Sequence, residues 1–283
     1  MADYENLLIE HAEDLTWIVL NRPDKANALS HDLLDELGAA LEELVDEGGP
    51  VIAIRGAGRG FSAGYDIGKV GKKAELGPIA DRARLQGYVD RFLGIWDHPK
   101  PVIAAVHGFC MAGATQLCVF TDITVVADDA RIGEPKLPIG GGFIAPMWAP
   151  LVGPKRAKEL AFVAGNSIDG PTAVEWGWAN HSVPAEELIP AVEGLARRIA
   201  LTPPEVLRIK KLSVNRAMEA MGIRHATTSA AEMDTLLHLA PEVRELRKWV
   251  GEVGLGEAIK AYTVPPSTPL RPLSDDEQPK PKR

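Results

Sequence analysis

Two glycine-rich turns in this chain could direct backbone N–H groups at a negatively charged oxygen. The first covers residues 56–67 and the second residues 108–114. Glycine lets the backbone turn sharply and approach a ligand closely. The second turn leads into an apolar helical run, and the first N–H groups of a helix have no intrahelical partners. One N–H from each turn would form an oxyanion hole. The alternative is that both are ordinary strand-to-helix loops.

Short apolar runs would position these turns. Residues 51–54 and 102–106 precede the two turns, residues 123–127 form a third run, and all three are nearly entirely apolar. Such runs are typical of central strands that helices cover on both faces. We therefore predict an α/β fold.

Further patterns extend this prediction to both ends of the chain. Residues 7–9 and 17–20 indicate a hairpin, and Ser30 is a good N-cap for an amphipathic helix that runs to the Gly-Gly-Pro at 48–50. The strand pattern stops after Pro184. Helices are predicted over 185–201, 203–220, 223–239 and 242–261.

Composition and charge exclude several classes of partner. The 283 residues carry 31 Lys and Arg against 39 Asp and Glu, a net charge of −8, so we expect no nucleic-acid partner. Cys110 and Cys118 show neither a disulfide framework nor metal-ligand spacing, and no metal site is predicted. The N-terminus lacks a signal-peptide pattern, and no apolar run approaches the ~20 residues of a membrane span. We predict a soluble, cytoplasmic protein with no membrane partner.

The first turn also matches a different enzyme class. Residues 60–64, Gly-Phe-Ser-Ala-Gly, fit the G-x-S-x-G pattern of serine hydrolases. That motif needs a strand directly before the turn and a helix directly after the serine. Residues 56–60 intervene before Ser62 and residues 65–71 are glycine-rich, which disfavours a hydrolase.

Motifs in a fixed order carry a family resemblance. Residues 21–29 (Asn-Arg-Pro-Asp-Lys-Ala-Asn-Ala-Leu), 60–67 and 105–122 resemble successive signatures of the crotonase (enoyl-CoA hydratase/isomerase) superfamily. The similarity continues through residues 133–135, 152–157 and 169–173 and extends over residues 5–262. An ordered series of motifs is far more specific than any one of them.

The resemblance implies an architecture and a substrate. It implies a spiral of ββα units in residues 1–190 and a C-terminal helical region in residues 191–262 that assembles homotrimers, often paired into hexamers. Residues 263–283 are rich in proline and are expected to be disordered or draped on a neighbour. Such proteins bind acyl-CoA thioesters. Coenzyme A is then part of the substrate, and no permanently bound cofactor is expected.

Specific residues receive roles from the same resemblance. The oxyanion-hole donors would be the backbone N–H groups of Tyr65 and Gly113. Segments that hold coenzyme A and the acyl group would include Lys25, Ala26, Ala28, Ala63, Gly64, Asp66, Ile67, Met111, Ala112 and Ile139.

The chain departs from the family at both catalytic positions. The two glutamates of the family's hydratases align with Gln116 and Lys136. Gln can orient a water but cannot accept its proton, and Lys is a strong base only where a desolvated site lowers its pKa. Lys136 could instead pair with an anionic acyl group or be an exposed loop residue.

Glu134 lies two residues before Lys136 and leaves two interpretations open. It could place a carboxylate near the substrate, or it could pair with Lys136 or a neighbouring base and only support the pocket.

The substitutions favour carbon–carbon cleavage, decarboxylation or thioester hydrolysis over simple enoyl hydration. The alternatives are a hydratase/isomerase that uses Glu134 and a non-catalytic acyl-CoA-binding protein.

Overall fold

A computed structural model describes residues 3–68, 70–71, 76–140 and 144–262 of the chain. The segment 263–283, for which the sequence predicts a disordered or draped tail, lies outside the described residues. Strands and helices alternate along the first two thirds of the described chain, and helices follow to its end.

The strands form two sheets. In chain order they are β1 (Leu7–His11), β2 (Leu15–Leu20), β3 (Val51–Gly56), β4 (Val102–Val106), β5 (Phe109–Met111), β6 (Ile123–Ala127), β7 (Arg131–Gly133), β8 (Ser167–Ile168) and β9 (His181–Val183). The main sheet has the order β1-β2-β3-β4-β6-β9, with β1 antiparallel to β2 and every other pair parallel. The predicted hairpin and the three predicted central strands are therefore confirmed, and with them the α/β class.

The second sheet was not predicted from the sequence. It has the order β5-β7-β8, and each of its strands is only two or three residues long. Runs this short carry no readable alternation. In this sheet Met111 lies opposite Gly133, and the Ala112 N–H donates to the Gly133 carbonyl over 2.8 Å. Glu134, the next residue, is therefore held beside the second glycine turn.

Eleven helices are described. They are α1 (His31–Glu43), α2 (Pro78–Asp97), α3 (Gly113–Val119), α4 (Ile144–Val152), α5 (Pro154–Phe162), α6 (Gly170–Trp176), α7 (Leu188–Ala200), α8 (Pro204–Ala220), α9 (Ile223–Leu239), α10 (Pro241–Val253) and α11 (Leu255–Ala261). Ser30 caps α1 as predicted, since its Oγ accepts the Leu33 N–H over 3.2 Å. The predicted last helix is two helices, because Gly254 adopts a positive φ of +85° between them.

The C-terminal helices contribute to the core as well as to the surface. Leu188, Val192 and Ala196 of α7 are buried against the main sheet, so this one helix spans the expected boundary at residue 190. Helix α9 packs along α2 and α4 and reaches the cavity described below. Among the described helices, none combines the length and apolar character that a bilayer-spanning segment needs.

Candidate active site

A cavity of about 150 Å³ opens beside the two glycine turns. Its walls come from the first turn, the start of α3, the segment after β7, and helices α2, α9 and α10. The lining residues are Ala63, Tyr65, Asp66, Ile67, Val70, Arg84, Leu85, Tyr88, Ala112, Gln116, Glu134, Pro135, Leu137, Ile139, Gly140, Asp234, His238 and Arg247.

The two turns are in direct contact. The Ser62 N–H donates to the Phe109 carbonyl over 3.2 Å, and the Met111 N–H donates to the Ser62 carbonyl over 3.0 Å. At Gly64, where φ is +91°, a Cβ atom would lie 2.6 Å from the Met111 carbonyl oxygen and 3.1 Å from the Gly113 nitrogen. Only glycine permits this approach. The backbones around Tyr65 and Gly113 are therefore neighbours, as the oxyanion-hole prediction requires.

The segment expected to bind coenzyme A is bonded to the first turn. The Ala63 N–H donates to the Ala26 carbonyl over 2.9 Å, and the Leu29 N–H donates to the Gly64 carbonyl over 2.8 Å. Lys25 is exposed nearby, and Ala28 is half-buried. These contacts place the segment next to the part of the lining that Ala63 forms, and outside the lining itself.

The sequence-predicted residues divide between the lining and its surroundings. Ala63, Asp66, Ile67, Ala112 and Ile139 line the cavity, whereas the others expected to bind substrate are outside the lining: Lys25, Ala26, Ala28, Gly64 and Met111. Met111 is half-buried on β5, where its backbone joins the two turns.

Ser62 holds the first turn together and does not face the cavity. Its side chain is fully buried, and its hydroxyl donates to the Asn27 carbonyl over 2.7 Å and accepts the Gly64 N–H over 3.1 Å. A nucleophilic serine must reach its substrate. The hydrolase reading of the G-x-S-x-G match is therefore not supported by the structure.

Gln116 enters the cavity from α3 and is fixed by Tyr65. The Tyr65 hydroxyl donates to Gln116 Oε1 over 2.6 Å, and the Tyr65 ring lies against the Tyr88 ring with centroids 4.4 Å apart. Burial raises the pKa of the Tyr65 phenol well above its usual value, so this hydroxyl remains a donor. The amide of Gln116 is thus oriented and cannot swing freely.

Glu134 is a buried carboxyl group in the same cavity. It is 7% exposed, and burial, followed by the nearby Asp234 carboxylate, raises its pKa to about 8. At neutral pH this carboxyl group is therefore mostly protonated, and a minor fraction is present as the carboxylate. The charged group that acts on Glu134 is an acid, which corrects the interpretation that Glu134 pairs with a base.

Lys136 lies elsewhere. Its side chain is exposed and is not part of the cavity lining. The alternation of an extended chain, which would place residues 134 and 136 on one face, does not hold here because no regular strand continues beyond Gly133. Lys136, which the motif resemblance assigns to the family's second glutamate position, thus faces solvent.

Sequence reasoning missed four charged or titratable residues of α2 and α9. Arg84, Asp234 and His238 line the cavity, and Asp81, which is outside the lining, contacts His238. His238 Nδ1 lies 2.7 Å from Asp81 Oδ2, and His238 Nε2 lies 3.7 Å from Asp234 Oδ2. Arg84 binds Asp81 Oδ1 through Nη2 over 2.6 Å and through Nε over 3.1 Å.

Hydrogen bonds from His238 and Arg84 keep Asp81 ionised. Burial alone would raise the pKa of Asp81, but the bonds from His238 and Arg84 outweigh it and lower the pKa to about 2. The i, i+4 spacing of Asp234 and His238 indicates that the two side chains share one helix face. Nothing in the sequence connected them with Asp81. Within the described ranges, no group of three or more His, Cys, Asp or Glu side chains is arranged to hold a metal ion.

Comparisons with known proteins agree with this geometry. A family model described as enoyl-CoA hydratase/isomerase matches residues 10–245. A crystal structure from Novosphingobium aromaticivorans, provisionally assigned as an enoyl-CoA hydratase/isomerase, is 49% identical, with a TM-score of 0.89 over 93% of this chain and 96% of that one.

Two curated relatives are more distant in sequence. Crotonyl-CoA hydratase of Syntrophomonas wolfei is 33% identical over 221 residues, which cover 76% of this chain and 84% of the relative. Hydroxycinnamoyl-CoA hydratase-lyase of Pseudomonas fluorescens is 29% identical over 275 residues, which cover 93% of this chain and 99% of the relative. The matched length, the fold and the order of motifs agree, and the chain belongs to the enoyl-CoA hydratase/isomerase family of the crotonase superfamily.

Proposed function

We propose that this protein is an enzyme that forms the enolate of an acyl-CoA thioester and moves a proton to or from that enolate with Glu134. One observation carries the proposal: a carboxyl group with a pKa of about 8 lies in the cavity that the two glycine turns border. A proton-transfer group is most effective when its pKa is near the working pH.

The glycine turns supply the electrostatic part of this chemistry. The N–H groups of Tyr65 and Gly113 would bind the thioester oxygen as it becomes negative, at about 3–4 kcal/mol per donor. The contact between Gly64 and the Gly113 nitrogen supports this pairing. Coenzyme A would lie along residues 25–28 as part of the substrate, and the chemistry requires no permanently bound cofactor.

The cavity favours double-bond chemistry of an enoyl thioester. The sequence favoured carbon–carbon cleavage, decarboxylation or thioester hydrolysis because both family glutamates are replaced. Glu134 restores a carboxyl group to the cavity, and the exposed Lys136 does not supply a charge there. Hydration or isomerisation of an enoyl-CoA through Glu134 is therefore the better-supported reaction, with Gln116 orienting water or the acyl group.

A second candidate is cleavage of a β-hydroxyacyl-CoA. In that reaction a base removes the hydroxyl proton, the Cα–Cβ bond breaks to give an aldehyde, and the thioester enolate takes a proton at Cα. The same oxyanion hole and the same acid serve this step. The hydratase-lyase from Pseudomonas fluorescens, which matches nearly the full length of both chains, favours its inclusion.

Mass spectrometry of a panel of thioesters tests the proposal. The panel contains crotonyl-CoA, 4-hydroxycinnamoyl-CoA, 3-hydroxybutyryl-CoA, a β-oxoacyl-CoA and a dicarboxylic acyl-CoA. We expect turnover of an enoyl or β-hydroxyacyl thioester that Glu134→Gln abolishes while calorimetry still shows thioester binding. Binding without turnover of any thioester would favour the non-catalytic acyl-CoA-binding alternative.

We also propose that the C-terminal helices assemble the chain into homotrimers or pairs of trimers. Helix α8 supports this, because Val206, Ile209, Leu212 and Val214 are all exposed, Ile209 and Val214 by more than half. Lys211 anchors the same helix to the core through a 2.7 Å ion pair with Asp122. Light scattering should show a trimer or hexamer that Ile209→Glu shifts toward the monomer; a monomer from the unmodified chain would contradict this.

A cytoplasmic location remains part of the proposal. It is supported by the two thiols Cys110 and Cys118, whose sulfurs lie 3.9 Å apart, well beyond disulfide bond length. Two cysteines without a disulfide framework in the sequence are common in proteins of a reducing compartment. Fractionation of the native cells would test the location directly.

A further inference from the structure

One histidine of the cavity has the partners of a proton-transfer group. His238 lines the cavity from α9, and its Nδ1–H donates to Asp81 Oδ2 over 2.7 Å. Asp81 is ionised and is itself held by Arg84. A carboxylate that accepts from one ring nitrogen fixes the tautomer of a neutral imidazole. The other nitrogen, Nε2, is then the proton acceptor.

His238 Nε2 lies close to Gly140, another residue of the cavity lining. A Cβ atom built on Gly140, which also lines the cavity, would lie 3.1 Å from His238 Nε2. Glycine at this position therefore keeps the space beside the nitrogen open. The imidazole is 11% exposed, so a proton transferred to it would be shielded from bulk solvent.

We propose that His238 is a second proton-transfer residue of this site, exchanging a proton with the oxygen at the β-carbon of the acyl group, and that Asp81 is its positioning residue. This inference rests on the function proposed above. It assigns the substrate class to thioesters whose reaction makes or breaks a bond at a β-oxygen. Simple double-bond isomerisation needs no such group.

Hydration moves one proton to His238 and takes one from Glu134. A water O–H bond breaks, its proton goes to His238 Nε2, and its oxygen bonds to Cβ. The π electrons of the Cα–Cβ bond move to the thioester oxygen as an enolate. The enolate electrons then take the Glu134 proton at Cα, which leaves Glu134 as a carboxylate and His238 as an imidazolium. Cleavage of a β-hydroxyacyl-CoA uses the same two groups, with the hydroxyl proton going to His238.

Asp234 interacts with both groups and can therefore assist the return of the proton after each turnover. Its Oδ2 lies 3.7 Å from His238 Nε2, and its carboxylate also acts on Glu134. It therefore stabilises the imidazolium and, through water, allows its proton to return to Glu134. The charged and titratable groups around His238 are Asp234 on its own helix, Asp81, Arg84 and Tyr88 on α2, Glu134 after β7, and Arg247 on α10.

Two probes separate this inference from the proposed function. Deuterium exchange at Cα of butyryl-CoA requires Glu134 but no β-oxygen, whereas hydration of crotonyl-CoA requires both groups. We expect His238→Gln to lower hydration by about a hundredfold or more and to leave exchange intact. Asp81→Asn should lower kcat with little change in KM and move the acidic limb of the hydration pH profile, as loss of tautomer control does.

One further variant tests the inference at a second residue, and another controls for folding. Gly140→Ala covers Nε2 without changing His238 and should also slow hydration selectively. Glu232→Gln breaks the exposed 3.3 Å ion pair with Arg82 between the same two helices and should change neither probe. Thermal unfolding is measured for each variant.

The inference would be overturned if His238→Gln hydrated crotonyl-CoA at the unmodified rate, or if it lost hydration and exchange equally. It would also be overturned if the unmodified protein exchanged deuterium into butyryl-CoA but did not hydrate crotonyl-CoA. Glu134→Gln with undiminished exchange would instead overturn the proposed function.

Discussion

The Tyr65 hydroxyl donates a 2.6 Å hydrogen bond to Gln116 Oε1, which joins the first glycine turn to the helix that follows the second. Tyr65, which is proposed to supply an oxyanion-hole N–H through its backbone, thus also orients the amide of Gln116 through its side chain. The motif resemblance assigns Gln116 to the first glutamate position. A bulky aromatic residue at position 65 and an amide at position 116 are therefore mutually dependent.

Tyr65→Phe tests that dependence. It removes the hydroxyl but keeps the backbone N–H and the ring contact with Tyr88, so thioester binding should change little. The loss of one neutral hydrogen bond predicts a decrease in kcat of up to about tenfold. Steady-state kinetics provide the check, and an equal loss of kcat and of thioester affinity would contradict a role confined to Gln116.

Gly64→Ala should separate the two turns. The added Cβ would lie 2.6 Å from the Met111 carbonyl oxygen at a positive φ, so we expect strong destabilisation and loss of turnover. Gly38→Ala, in α1, is the matched control because nothing lies within 4 Å of its Cβ position. That change should stabilise the helix by about 1 kcal/mol. Urea unfolding of both variants measures the contrast, which equal effects would refute.

Glu134→Gln should stabilise the protein in a pH-dependent way. Burial raises the pKa of Glu134 from 4.5 to about 8, so the unfolded chain ionises this group before the folded chain does. The unmodified protein therefore loses stability as pH rises from 4.5 to about 8, and the variant lacks this loss. Denaturant unfolding should show nearly equal stability at pH 4.5 and a more stable variant at pH 8. A constant difference across this range would contradict the burial of an ionisable Glu134.

Asp81 should affect stability in a lower pH range. Its pKa is held at about 2, below the ordinary 3.8, so its contribution is present above pH 3.8 and is lost as pH falls toward 2. Asp81→Asn should flatten this part of the acid-unfolding curve. An unchanged slope between the two pH values would show that the bonds from His238 and Arg84 do not persist in solution.

The pH dependence of exchange at Cα follows from the ionisation of Glu134. Removal of a proton from Cα needs the carboxylate form, whose fraction rises up to and beyond its pKa of about 8. The rate of deuterium incorporation into butyryl-CoA should therefore increase from about pH 6 through pH 8, where it is about half-maximal, and level off above about pH 9. A rate that is already maximal near pH 5 would assign the exchange to a group with an ordinary carboxyl pKa.

Sequence patterns were sufficient for the parts of the fold that depend on local periodicity and capping. The central strands, the Ser30 cap and the two glycine turns each have a signal within a few residues. The sheet β5-β7-β8 has none, because its strands are too short for alternation to be read. The sequence could therefore leave Glu134 only as an open possibility near the substrate, because the strand pairing that holds it beside Ala112 was not predicted.

The contact between Asp81 and His238 depends on tertiary packing. Asp81 and His238 are 157 residues apart in sequence and meet only because α2 and α9 pack together. Alignment by motif placed Lys136 at the second catalytic position, but the chain after Gly133 turns it toward solvent and leaves Glu134 inside. Motif order thus predicted the family and the turns and left Glu134 as one of two open interpretations, whereas the pairing of His238 with Asp81 needed the three-dimensional arrangement.

Deuterium exchange at Cα of butyryl-CoA near pH 8, measured by nuclear magnetic resonance for the unmodified protein, Glu134→Gln and Lys136→Gln, tests the central claim most directly. Rapid exchange is expected from the unmodified protein and from Lys136→Gln, whose altered residue is exposed. Exchange should be slower by about a hundredfold or more in Glu134→Gln. Exchange that persists in Glu134→Gln and disappears in Lys136→Gln would contradict the claim, because the enolate would then form under the control of the residue that the structure places in solvent.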